Sequence, residues 1–317
     1  SISMPTVAPM LILGDPEQAM TLAAYPSRGV GLLRMEFIIS NSICIHPMAL
    51  LHFDSLEDVD VKKQIDALSK GYPDKKSYFI NKLAEAVGLI AAAFYPRDVV
   101  VRMSDFKSNE YANLTGGKTF EQAEENPMIG FRGASRYGHP AYREAFALEC
   151  AAMRQVREDM GLHNVKLMIP FCRTPEEGQK VLELMEQHGL KRGQNGLQVL
   201  VMCEIPSNVL LAKEFATLFD GFSIGSNDLT QLTLGIDRDN AILATQFNEN
   251  NPALRAMIAL LMQQLRGSGV PVGLCGQAPS DIPEFTRFLI EQGLSSISFN
   301  PDALLRGIAL MNEAEDQ

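Results

Sequence analysis

Short runs of consecutive apolar residues recur along the chain, and most stop at a polar or charged residue. Gly29–Leu33 stops at Arg34, Val99–Val101 at Arg102, Met128–Phe131 at Arg132 and Val165–Ile169 at Pro170. Leu197–Cys203 stops at Glu204, Phe222–Gly225 at Ser226-Asn227-Asp228, Val270–Leu274 at Cys275 and Ile297–Phe299 at Asn300. Continuous hydrophobicity marks strands buried on both faces, as in a parallel sheet covered by helices. The intervening segments carry helix signals. Thr174-Pro-Glu-Glu177 is a capping box with proline at the first helical position, and Asn251-Pro252 and Asp281-Ile-Pro-Glu284 begin in related ways. Gly189, Gly267 and Gly293 follow the helical patterns as stops.

Eight such units predict an α/β fold of the (β/α)8 TIM barrel type, a single domain over residues 1–317. An open doubly wound sheet is the competitor, since periodicity does not show closure. The barrel is favoured because polar residues end many runs, on the face where barrels keep their active sites. No G-x-G-x-x-G follows the first run, as a dinucleotide fold would want. The long connection from Asn41 to Phe94 has its own helical pattern from Ser77, and predicts a helical insertion after the first strand. Ser104 to Asn126 reads as a loop with little apolar content, of a length that often contributes to a site.

Composition narrows the function classes. With 317 residues, 46% of them hydrophobic, the chain can bury one large core. A formal net charge of -10 argues against bulk attraction to nucleic acid or an anionic membrane. Any anionic substrate needs locally placed arginines. Ala86 to Tyr95 is about half a membrane span and stops at Pro96, which predicts a buried helix. The five cysteines are odd in number and form no C-x-x-C pair, which suits a reducing, cytosolic compartment. The chain opens on Ser1 rather than Met, as a fragment of a longer protein would.

Asn113–Thr119 contains Gly-Lys-Thr, but a phosphate-binding loop requires glycine where Ala112 stands. Glu204 and Asp228, 24 residues apart, end two successive runs. Together they suit Mg²⁺, which takes few protein carboxylates; singly, either could cap a helix or pair with arginine. Arg34, Arg102 and Arg132 end runs of their own, and Arg238 follows in Gly235–Asn240. Several guanidinium forks at one barrel mouth predict a small substrate rich in anionic oxygens. Cys275 stands at a strand end between small residues, with no soft ligands near it to make a zinc site. It is either a buried core thiol or a proton carrier. The five histidines make no metal or triad spacing and receive no role.

The stretches "GVGLLRMEF", "VVVRMSDFKSNEYANLTGG", "NPMIGFRG", "VMCEIPSN", "GFSIGSNDLTQLTLGIDRDN" and "GLCGQAPSD" resemble the carboxyl-terminal domain of the enzymes that make or use phosphoenolpyruvate (PEP). The resemblance runs through nearly the whole chain. Gln277 stands where the enzyme I and pyruvate phosphate dikinase branches carry an acidic residue, which leans towards the branch that converts ATP, pyruvate and water to AMP, PEP and phosphate. It implies a pyruvate and PEP half-site in which Arg34 and Arg102 bind substrate, Glu204 and Asp228 hold Mg²⁺, and Gly225, Ser226 and Asn227 line the substrate. Cys275 would be the proton donor, with Arg132 and Arg238 as further site arginines. The implied partners are a phosphohistidine domain of the same parent chain, which with an ATP-grasp domain is not found in these residues, and a second copy of the chain, in a homodimer joined through this domain. The competing readings are an enzyme I-like component and a non-catalytic barrel kept for ligand binding or dimerisation.

Overall fold

A computed structural model describes residues 2–317. Eight short parallel strands close on themselves in chain order: β1 (Ala8–Leu13), β2 (Gly29–Arg34), β3 (Asp98–Arg102), β4 (Val165–Ile169), β5 (Val199–Cys203), β6 (Phe222–Gly225), β7 (Val272–Cys275) and β8 (Ser296–Phe299). Helices follow them on the outside: α1 (Ala19–Ala23), α2 (Lys75–Phe94), α3 (Arg143–Arg154), α4 (Pro175–Gln187), α5 (Ala212–Leu218), α6 (Pro252–Leu265), α7 (Pro283–Glu291) and α8 (Leu304–Glu315). The predicted barrel is therefore closed, and the doubly wound sheet is excluded.

Two strand assignments change. β1 was not among the predicted runs, and Met128–Phe131 is not a strand; Pro127–Ile129 forms a single 3-10 turn with Ile129 exposed. The helical insertion consequently follows the second barrel strand, not the first. Its last helix, α2, is the crossover helix of that unit, so only the short helices before it are extra. By length and composition α2 could cross a membrane, yet Phe79, Leu83, Val87, Ile90 and Phe94 are fully buried. It is a core helix. The 104–126 segment also holds more structure than a plain loop, with a short helix at Ser108–Ala112 and Tyr111 fully buried.

The main core lies between barrel and helices, where the apolar runs meet the inner helix faces. The barrel interior has its own smaller cluster of Ile12, Leu32, Val100, Met168, Met202 and Cys275. Packed side chains rather than a pore fill such a barrel. The register sets Arg34 of β2 beside Arg102 of β3, and Cys275 of β7 between Gly225 of β6 and Ser298 of β8.

Candidate active site

A cleft of about 1360 Å³ opens over the carboxyl ends of the strands. Arg34, Arg102, Arg132, Glu204, Gly225, Asn227, Asp228, Arg238 and Cys275 all line it, so nine of the ten residues singled out from the sequence meet in one place. Ser226 is the exception. It is 1% exposed, and its hydroxyl donates to Glu249 and lies 3.3 Å from the Cys275 carbonyl oxygen, tying the β6 loop to the end of β7.

Asp105, three residues beyond β3, joins Glu204 and Asp228 in a group whose carboxylate oxygens lie within 4.8 Å of one another. Arg132 reaches them from its loop. Its Nε and Nη2 donate to the two Asp105 oxygens at 3.1 and 2.6 Å, and Nη2 also donates to Asp228 Oδ2 at 3.2 Å. The guanidinium rests 4.1 Å from the Phe171 ring centroid, and Arg173 pins the loop by donating to the Gly130 carbonyl at 2.5 Å. Gly133 allows this approach: its φ is +64°, and a Cβ there would lie 2.5 Å from that of Phe171.

Electrostatics divides these groups. Burial pulls the Arg132 pKa down, but Asp105 and Asp228 more than reverse this and hold it above the usual arginine range. Burial alone would raise Asp105; Arg132 and Arg102 hold it below the usual carboxylate range. Glu204 is pushed up, by burial first and then by the Asp228 and Asp105 charges. Its Oε1 is buried and has no hydrogen-bond partner among the described residues. An orphaned carboxylate oxygen between two further carboxylates fits a small hard cation, the donor set Mg²⁺ prefers.

Across the cleft, Arg102 pairs with Glu36, a residue at the start of the helix after β2. Burial lowers the Arg102 pKa, but Glu36, Asp105 and Glu204 raise it further, so the guanidinium stays charged. Arg34 has no carboxylate within ion-pair distance among the described residues and stands open to the cleft. Desolvation by the cleft walls, and then Arg102 beside it, lower its pKa. A cation repelled by its neighbour and lacking a counter-ion is poised for an anionic ligand. Arg238 is exposed on the far rim, 5.9 Å from the Phe247 ring centroid.

Cys275 is 7% exposed and ends β7 at the floor of the cleft. Burial raises its pKa above that of an ordinary thiol, and the hydroxyls of Ser223 and Ser298 and the charges of Arg34 and Arg102 reverse this only in part. It therefore carries its proton at neutral pH. Cys150, Cys172 and Cys203 are fully buried and do not line the cleft.

Asp105 and Glu36 were missed from the sequence. Asp105 lay in a segment read as a polar loop, and Glu36 stands two residues past a strand end; an acid shortly after a strand-end arginine was the available signal.

A family model described as the PEP-binding domain of PEP-utilising enzymes matches residues 6–315. A protein of Synechocystis sp. named phosphoenolpyruvate synthase is 58% identical over 307 residues, covering 96% of this chain and 38% of that protein. One of the same name from Pseudomonas aeruginosa is 52% identical over 308 residues, covering 97% and 39%. The chain thus spans well under half the length of these curated relatives. Among solved structures, an HpcH/Hpal aldolase/citrate lyase family protein from Burkholderia cenocepacia J2315 shares the fold, with a TM-score of 0.52 at 14% identity over 99% of this chain and 94% of that one. With a closed barrel, a charged mouth and a family match over nearly every residue, the chain belongs to the PEP-utilising enzymes, as their PEP-binding domain.

Proposed function

We propose that this barrel is the pyruvate and PEP half-site of a pyruvate, water dikinase, whose overall reaction turns ATP, pyruvate and water into AMP, PEP and phosphate. The observation that carries the reading is the pairing of an orphaned Glu204 oxygen, inside the Asp105, Glu204 and Asp228 group, with the buried Cys275 thiol at the floor of the same cleft.

Glu204 and Asp228, with Asp105 beside them, would hold Mg²⁺, which supplies positive charge where loss of a C3 proton leaves negative charge on the pyruvate carbonyl oxygen. Arg34 and Arg102 bind the oxygens of the transferred phosphoryl group, Arg34 as the free cation and Arg102 anchored by Glu36. Arg132 keeps the carboxylates in place, and Asn227 and Gly225 border the substrate. Arg238 meets the incoming phosphate donor from the rim. Cys275 moves the proton. Towards pyruvate, the phosphoryl group passes from PEP to the histidine, and the S–H bond of Cys275 breaks as a C–H bond forms at C3; towards PEP, the thiolate takes that proton, and the enolate oxygen accepts the phosphoryl group from the phosphohistidine. The phosphohistidine belongs to another domain of the parent chain, and the parent enzyme works in the cytoplasm as a homodimer joined through this domain.

Calorimetry with oxalate, a planar mimic of pyruvate enolate, tests the reading. Oxalate should bind only when Mg²⁺ is present, and Glu204→Gln should weaken that binding roughly 100-fold or more. Undiminished binding to the variant would remove Glu204 from the ligand set.

A further inference from the structure

The metal ligand and the rim of the cleft meet on one short helix. Ser226–Leu234 begins where β6 ends and carries Asp228 in its first turn. The segment after it, Gly235 to Glu249, forms the far rim and presents the exposed Arg238. Gln231 is the junction between the two. Its backbone carbonyl accepts from the N–H groups of Gly235 and Ile236, and Gly235, at φ +66°, ends the helix. Its side-chain Oε1 accepts from the Arg238 N–H at 3.1 Å, the one hydrogen bond of that N–H among the described residues. The other end of the same side chain, Nε2, donates to Asp228 Oδ1 at 3.4 Å.

Three residues apart on a helix, Asp228 and Gln231 share a face, and such a pair alone would be an ordinary helix-surface contact. Here the side chain also reaches off the helix. The turn it reaches is closed on itself: Asp237 accepts from the Asp239 N–H at its carboxylate and from the Asn240 N–H at its carbonyl. Gln231 hangs that turn on the helix, and Ser226 ties the other end of the rim segment by donating to Glu249. A glutamine side chain accepts only through its oxygen and donates only through its nitrogen, so its two bonds set its orientation together. Fixing the Asp228 carboxylate on a cation therefore fixes the side chain, and with it the turn that carries Arg238.

We propose that Gln231 is a positioning residue, a strut that couples occupation of the metal site to the placement of Arg238 at the rim. The inference rests on Asp228 being a Mg²⁺ ligand. It gives the two halves of the reaction an order: the rim is set for the incoming phosphate donor once the cation is bound, and is looser before.

The test uses the full-length protein, with Mg²⁺ and oxalate as probes. Amide hydrogen exchange, followed by mass spectrometry of overlapping peptides that isolate Arg238, reads the rim; calorimetry reads the metal. In the unsubstituted protein, Mg²⁺ with oxalate should slow exchange at Arg238 about tenfold. Gln231→Met, similar in length but without the amide, should speed metal-free exchange about tenfold and abolish the response to Mg²⁺. It should also weaken Mg²⁺-dependent oxalate binding roughly tenfold. Gln231→Glu still accepts from the Arg238 N–H but has no N–H to offer Asp228, so it should keep the metal-free protection and lose the response. A Gln231→Met protein whose exchange at Arg238 matches the unsubstituted one, with and without Mg²⁺, overturns the inference. So does one that exchanges faster yet responds to Mg²⁺ in full, as a purely structural glutamine would leave it. If oxalate binds the unsubstituted protein equally well without Mg²⁺, it is Asp228 as a metal ligand that fails, while faster metal-free exchange in Gln231→Met still upholds the tie to Arg238.

Discussion

On the β2 to β5 side of the mouth, nearly every functional group is charged and most are tied to a partner. Arg102 is held by Glu36, and Arg132 by Asp105 and Asp228. On the β6 to β8 side the floor is neutral: Cys275 between Ser223 and Ser298, with Gly225 at the neighbouring strand end. The difference follows from what each side must do. Ion pairs fix rigid forks for anionic oxygens, but a thiol placed among them would lose its proton. Neutral surroundings let burial win and keep Cys275 protonated, while the arginines remain close enough to act on charge that develops above it.

The comparison breaks most visibly at Arg132. Arg132→Met removes the one guanidinium that hydrogen-bonds Asp105 and Asp228 among the described residues, leaving only the charge of Arg102 nearby, and should cost about 3–5 kcal/mol of stability in urea unfolding. Added Mg²⁺ should recover part of that loss and should do much less for the unsubstituted protein. A loss under about 1 kcal/mol would mean that this cation does not offset the repulsion between the carboxylates.

The second effect concerns the support beneath Asp105. Glu149 is fully buried with no cation beside it; it accepts from the Ser104 amide and hydroxyl and from Tyr142, and burial pushes its pKa up to about 7. The folded state therefore holds this proton more tightly than the unfolded chain. Its contribution is fully present below the unfolded pKa, near 4.5, and is lost as pH rises through about 7. Across that window the stability of the unsubstituted protein should fall by up to about 3 kcal/mol relative to Glu149→Gln. Parallel curves for the two proteins would show that Glu149 does not titrate there.

A smaller effect is expected at the seam between the two sides. A Cβ on Gly225 would lie 3.2 Å from Glu204 Cβ and 3.3 Å from its Oε2. The backbone there, at φ -88°, lies outside the left-handed region, so Gly225→Ala acts chiefly by pushing Glu204, with Met202 Cγ next at 3.4 Å. Stability should change by about 1 kcal/mol and Mg²⁺ affinity by about tenfold, read by unfolding and calorimetry. Unchanged affinity would show that Glu204 can shift without consequence.

Much of this was legible in the sequence because a barrel strand buried on both faces is written as an unbroken apolar run, and its last residue faces the mouth. Arg34, Arg102, Glu204 and Cys275 were found that way. β1 was not, because Ala8–Leu13 contains a proline and ends at Gly14, with no polar or charged residue directly after it to mark its end. Met128–Phe131 misled for the converse reason: it is apolar and ends in an arginine, but Pro127 and Gly130 bend it into a turn. The count of eight survived because these two errors offset each other, and the insertion was displaced by one strand. Asp105 was hidden because its role depends on Arg132, 27 residues further on, arriving beside it. No local pattern carries that information. Ser223 and Ser298 were hidden among strand residues, where a serine signals nothing until the register sets it against a thiol.

The neutral side of the mouth moves a proton, and the charged side does not. Pyruvate C3 hydrogen exchange in Cys275→Ala, measured in the full-length protein with Mg²⁺ alongside oxalate binding, tests it most directly. Exchange should fall by roughly 100-fold or more while oxalate binding is kept. Exchange persisting at the unsubstituted rate would contradict it.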